Sequence, residues 1–155
     1  MKKIFFALLL FPFILNAQQK YERIFYKLSD DIEFKVLSHS KGKMMDVGTS
    51  GSGGTFYEKA KKGHQLILLW FKIENKGNEA IMFDLKQFQV VDENSNVYDA
   101  YLCAGNGLNM KHCESFEFKI KPNKGRQARI YFMPQIPKDV ELKYLRVNGV
   151  DLVEF

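Results

Sequence analysis

Cys103, His112 and Cys113 are the residues of this chain whose types and spacing come nearest to chemistry. Two thiolates and an imidazole can hold zinc, and a cysteine beside a histidine can be a nucleophile with its base. Both readings need side chains that converge. Neighbours on an extended chain point to opposite sides, and no CxxC or HxxxH spacing backs a metal site. Of the other histidines, His39 falls in an apparent loop and His64 at the start of a strand, neither with a second histidine at ligand or dyad spacing. The carboxylates Asp30–Asp31, Asp92–Glu93 and Asp139–Glu141 border turns, where Asp bonds nearby backbone amides. Ser50 and Ser52 in GTSGSGG lack both the GxSxG spacing and the strand and helix that would bracket a nucleophile turn or a phosphate-cradling loop. No metal, cofactor or catalytic residue is expected.

The elements that would position these residues start with a leader. MKKIFFALLLFPFILNA has two lysines, an apolar stretch from Ile4 to Leu15 and a small residue, Ala17, before Gln18. That is the pattern of a secretory signal peptide cleaved between Ala17 and Gln18, its apolar run being shorter than the roughly 20 residues of a membrane span. The mature chain is then expected in the periplasm or medium without a transmembrane segment. Of 23 basic residues Lys2 and Lys3 leave with the leader, so 21 face 18 acidic ones, a net +3. That excess, with no arginine-rich stripe, implies no nucleic-acid partner. In an exported chain an even cysteine count predicts a disulfide between Cys103 and Cys113, which flank AGNGLNMKH.

After residue 30 the apolar pattern has period 2. Ile32, Phe34 and Val36 alternate with charge; Leu66 to Ile73 is nearly all apolar, a central strand covered on both faces, with Trp70 as core filler. Ile81, Phe83 and Leu85 form an extended piece, and Phe88 to Val91 another. Asp92–Asn96 turns the chain into Val97–Leu102. Phe116, Phe118 and Ile120 alternate, Pro122–Gly125 turns, and Ala128, Ile130 and Phe132 alternate until Pro134 and Pro137 stop them. Val140, Leu142 and Tyr144 follow, then a hairpin about Asn148-Gly149, a pair suited to a type I′ turn. Tyr21 to Leu28 reads equally as helix or strand. The organisation is a leader at 1–17, an N-terminal segment at 18–31 and, at 32–155, an antiparallel β-sandwich of about seven to nine strands. Phe155 raises an outer-membrane barrel as a rival, but Glu117, Lys119 and Lys121 would then face lipid.

Residues 39–63 lose the alternation and read as a long loop, flexible around Gly51 to Gly54. The loop nonetheless carries Met44, Met45, Phe56 and Tyr57. Two readings stand: these four cover a sandwich edge, or, flanked by Lys59, Lys61 and Lys62, they contact an acidic or amphipathic partner.

Gly63-His64-Gln65 before an apolar strand, Glu74-Asn75-Lys76-Gly77 after it, Phe88–Asp92 leading to Tyr98, Ile120–Gly125 and Ile130–Pro134 together resemble an immunoglobulin-like domain of unknown function found in secreted bacterial proteins and lipoproteins. That family is related in fold to an extracellular immunoprotective antigen. The likeness covers about residues 32–147 and implies an immunoglobulin-like sandwich with no catalytic residues. No cysteine follows the leader, unlike the lipoprotein members. The expected function is an exported noncatalytic binding or accessory module for a protein or envelope component; the alternative is a small secreted hydrolase using His112 and a turn carboxylate.

Overall fold

The computed structural model describes residues 23–49, 55–105 and 115–155. Twelve strands occur among them, more than the spacing of turns implies: β1 Phe25–Lys27, β2 Ile32–Gly42, β3 Met44–Thr49, β4 Thr55–Lys59, β5 His64–Asn75, β6 Ile81–Asp84, β7 Phe88–Asp92, β8 Val97–Gly105, β9 Glu117–Ile120, β10 Lys124–Pro137, β11 Leu142–Val147 and β12 Val150–Glu154. Every pairing is antiparallel. Eight strands run in the order β1-β2-β5-β10-β8-β7-β11-β12, while β3-β4 and β6-β9 form separate pairs. Strand β8 belongs to both layers of the sandwich: Ala100 to Gly105 pair with β10 and Val97 to Asp99 with β7.

The layers close on apolar alternation, which places residues i and i+2 on one face. Ile67, Leu69, Phe71 and Ile73 of β5 are each at most 1% exposed and meet Phe34, Phe88, Ile130 and Phe132 in one cluster. Phe88 of β7 packs against Phe71 at 4.9 Å between ring centroids and edge-on against Phe34 at 5.5 Å, which joins the two layers. Each such ring contributes roughly 1.5–3 kcal/mol by leaving water. The result is an all-β antiparallel sandwich with an apolar interior.

Several sequence expectations need correction. Residues 39–63 are not a long loop: β2 runs on to Gly42, and β3 and β4 pair as a hairpin from Met44↔Lys59 to Thr49↔Thr55. A register shift between Asp46 and Gly48 breaks the period-2 pattern that would have revealed it. The expected flexibility at Gly51 to Gly54 lies outside the described residues. Pro134 does not end β10. The strand shifts register against β5 between Phe132 and Ile136, so Pro134 falls where no ladder bond is required of it. Leu85 leaves the extended piece for a one-turn 3-10 helix, Leu85–Gln87, capped by the Asp84 side chain accepting from the Lys86 N–H. Within the ambiguous span Tyr21 to Leu28, Phe25–Lys27 is a strand paired with β2, while Tyr21 and Glu22 lie outside the described residues. The closing hairpin is as expected, with positive φ at both Asn148 (50°) and Gly149 (78°).

Candidate functional site

The residues singled out for chemistry are dispersed where the structure describes them. His39 lies in β2, not in a loop, its ring 5.2 Å from that of Phe155. Burial, then the nearby Lys41 charge, holds His39 below its ordinary value against the opposing pull of Glu141. His64 opens β5, with Nδ1 3.1 Å from the Lys62 carbonyl. His112, Cys113, Ser50 and Ser52, like Ala17 and Gln18, lie outside the described residues. Cys103 is inside β8 rather than at its end, because the strand continues to Gly105, and its side chain is 3% exposed in the apolar cluster. Its Sγ lies 3.9 Å from the Ser115 carbonyl oxygen, and no free cysteine occurs among the described residues. No group of three or more His, Cys, Asp or Glu able to hold a metal occurs among the described residues.

Of the turn carboxylates, Asp92 is the buried one, 1% exposed. It accepts from the Asn94 and Asn96 backbone N–H groups at 2.9 and 2.8 Å, from Asn96 Nδ2 at 2.9 Å and from the Tyr98 hydroxyl at 2.9 Å. Burial alone would raise its pKa, yet the bonds from Asn96, Tyr98 and Asn94 together hold it below 3.8. Burial, reinforced by the bond to Asp92, pushes the Tyr98 hydroxyl up to about 12. The group is a clamp on the β7–β8 turn with its acceptor capacity engaged, a poor proton acceptor. Glu141 is turned to Lys41 at 3.0 Å, tying the start of β11 to the end of β2.

What the fold does assemble is the hairpin against the outer face of the large sheet. In the register of β3 and β4, Met44, Lys59, Asp46 and Tyr57 share one face and Met45 and Glu58 the other. Met45 faces inward: like Leu68 and Leu102 it packs against the buried pair Ala104 and Tyr131, and its Cε lies 3.4 Å from where a Cβ on Gly42 would sit. Met44 and Tyr57 face outward, each 61% exposed, and Lys43, Lys59, Lys61 and Lys62 are exposed beside them. Nothing is described of the Phe56 side chain. The four apolar residues of this segment thus do not share one role, since Met45 covers the sheet while Met44 and Tyr57 are presented to solvent.

One residue that sequence reasoning missed fixes this arrangement. Tyr131 stands at the solvated parity of β10, between Ile130 and Phe132, yet is 0% exposed. Its hydroxyl donates to the Asp46 carbonyl at 2.6 Å and pins β3 to the sheet. Burial raises the Tyr131 pKa, with Arg129 lowering it and Asp46 raising it further. The only local signal was a tyrosine where a charged residue would be ordinary. Trp70, expected as core filler, is instead half-buried on this outer face, with the Arg129 guanidinium 5.4 Å from its ring. Parity decides it: the inner positions of β5 are odd-numbered from 67 to 73.

The architecture has counterparts. The chain is similar to an uncharacterized β-sandwich protein from Clostridium difficile 630, with a TM-score of 0.51 and 12% identity over 75% of this chain and 78% of that one. It is also similar to a conserved hypothetical protein from Bacillus anthracis, with a TM-score of 0.58 and 16% identity over 86% of this chain and 94% of that one. At these identities the likeness is one of fold. No curated protein matches the sequence significantly. Residues 29–150 match the Domain of unknown function (DUF4352) family, and by that match over most of its length the chain belongs to it.

Proposed function

We propose that the chain is an exported, noncatalytic binding module that engages a protein of the cell envelope or medium through the outward face of the β3–β4 hairpin. The observation that carries this is the two-sidedness of the hairpin: Met45 and Tyr131 dock one side on the sheet, and Met44 and Tyr57 remain 61% exposed on the other. A merely protective flap has no use for two large apolar side chains turned to water. Charge supports the same surface. Residues 41–62 hold five lysines and two acids, whereas the rest of the mature chain balances at 16 of each, so the net excess of the mature protein is concentrated here. The noncatalytic reading is supported by the filled apolar interior and by Asp92, whose carboxylate is engaged by four hydrogen bonds. Export rests on the leader, and the kinship with the secreted antigen fold rests on the turn and core residues that carry the resemblance.

The test has two arms. Mass spectrometry of envelope and culture fractions is expected to find Gln18 as the N-terminus; an exported protein that keeps Met1 refutes the leader. Affinity capture from the same fractions with the mature chain is expected to lose its specific partner when Met44 and Tyr57 are both changed to Ala at unchanged thermal stability. Capture that survives the double change places the contact elsewhere.

A further inference from the structure

The hairpin has two edges, and its hydrogen bonds distinguish them. The Ala60 N–H donates to the Lys43 carbonyl at 2.8 Å, so this is a bonded pair. With the register Met44↔Lys59, Met45↔Glu58, Asp46↔Tyr57, the alternation of an antiparallel ladder makes Met45 and Glu58 the next bonded pair. Met44–Lys59 and Asp46–Tyr57 are then non-bonded pairs, whose backbone N–H and C=O groups point away from the hairpin on either side. On the β3 side that direction is occupied, since the Asp46 carbonyl accepts from Tyr131. On the β4 side, the outward groups of Tyr57 and Lys59 face no strand among the described residues, where the neighbour of β4 is β3. The side chains along this edge are Tyr57 and Lys59, both exposed, with Lys43, Lys61 and Lys62 about its base.

We propose that the open edge of β4 receives an extended acidic segment of a partner protein as an added strand. Backbone pairing with Tyr57 and Lys59 holds the segment, the Tyr57 ring covers its apolar side chains, and the lysines select carboxylates. Charge identifies the occupant. A second copy of this chain would bring an equally basic segment to the edge, and like charges across a ladder oppose pairing. Lysines on a short edge also guard against indiscriminate pairing, and the two roles agree, because they repel a like edge and admit an acidic one. The inference rests on the hairpin as the contact element and adds the chemistry of what it contacts.

The mature chain is titrated with a short peptide alternating Glu and Val, with the same peptide N-methylated on the amides of one edge, and with its Lys–Val counterpart, at low and high salt. The Glu–Val peptide is expected to bind, to weaken about tenfold on N-methylation through loss of backbone bonds, and to weaken again with salt, while the Lys–Val peptide does not bind. Tyr57→Pro removes the outward N–H and leaves the β3 ladder its bonds, so it is expected to abolish peptide binding with an unchanged circular dichroism spectrum. Should that variant unfold, the N-methylated peptide decides alone. Equal binding of the methylated and parent peptides, or no binding of either, overturns strand addition. A concentration-dependent dimer of the wild-type chain that the Glu–Val peptide does not compete away assigns the edge to a second copy and overturns the acidic occupant. If the peptides fail while partner capture still requires Met44 and Tyr57, strand addition is lost and the contact face stands.

Discussion

At the scale of single residues, two buried polar side chains, Asp92 and Tyr131, each hold one turn or hairpin in place. Asp92 holds four donors, so Asp92→Asn, which turns one acceptor into a donor facing the Tyr98 hydroxyl and Asn96, is expected to cost about 3 kcal/mol, read as a lower urea midpoint at neutral pH. The folded-state pKa of Asp92 is depressed, so its contribution is present above the unfolded value near 3.8 and is lost as pH falls from there through the folded value. The wild-type midpoint is expected to drop over that window more steeply than that of the Asn variant; parallel acid profiles would show that other carboxylates carry the acid sensitivity. Tyr131→Phe deletes the hydroxyl bond to Asp46 while keeping the ring, an expected loss of about 1 kcal/mol. Its sharper effect is local: amide hydrogens of Met45 and Glu58 are expected to exchange faster while those of β5 keep their protection. Unchanged hairpin exchange would mean that Met45 packing alone holds the flap.

At the scale of elements, what could be read from the chain follows how local the cause is. Strands whose two faces differ, such as Phe118 and Ile120 against Lys119 of β9, announce themselves by alternation. The Asn148-Gly149 turn does so by backbone conformation. Gly149→Val forces a β-branched residue into φ 78° with nothing within 4 Å of its Cβ, so the expected loss of roughly 1–3 kcal/mol is strain alone. Gly149→Asn, which tolerates that region, is expected to recover most of the difference, and a Val variant as stable as wild type would mean that the turn has changed type. The β3–β4 hairpin was illegible because a register shift interrupts its alternation. The residue types of the proposed contact surface, Met44 and Tyr57, were visible in the sequence. Which of them face outward was not, since that depends on Tyr131, 85 residues along the chain from the Asp46 carbonyl that it bonds.

At the scale of the whole molecule, the cysteine segment shows the same dependence on distant geometry. Strand β8 carries Cys103 in its interior, and Ser115, two residues beyond Cys113, has its carbonyl 3.9 Å from Cys103 Sγ, which favours the expected Cys103–Cys113 bond. A closed loop of this size stabilises by about 3 kcal/mol in the chain-entropy view. Thiol labelling of the unfolded, unreduced protein is therefore expected to find no free thiol, and the double Ser variant to lose up to that amount with an unchanged fold; two labelled thiols would refute the bond.

The position of β5 between β2 and β10 has a consequence for how the protein comes into being. Its pairing with β10 runs from Lys124↔Asn75 to Pro137↔His64, so one flank of the central strand stays open until β10 has been synthesised. A growing chain can zip β2 onto β5 early, yet that partial sheet presents Ile67, Leu69, Phe71 and Ile73 to whatever is near. With its decisive contacts this remote in sequence, folding belongs to the slow regime of milliseconds to seconds. The nascent protein spends that interval as an unfinished sheet with a sticky face and an unfilled place for one strand, a state that a holding chaperone would recognise and the finished molecule no longer offers.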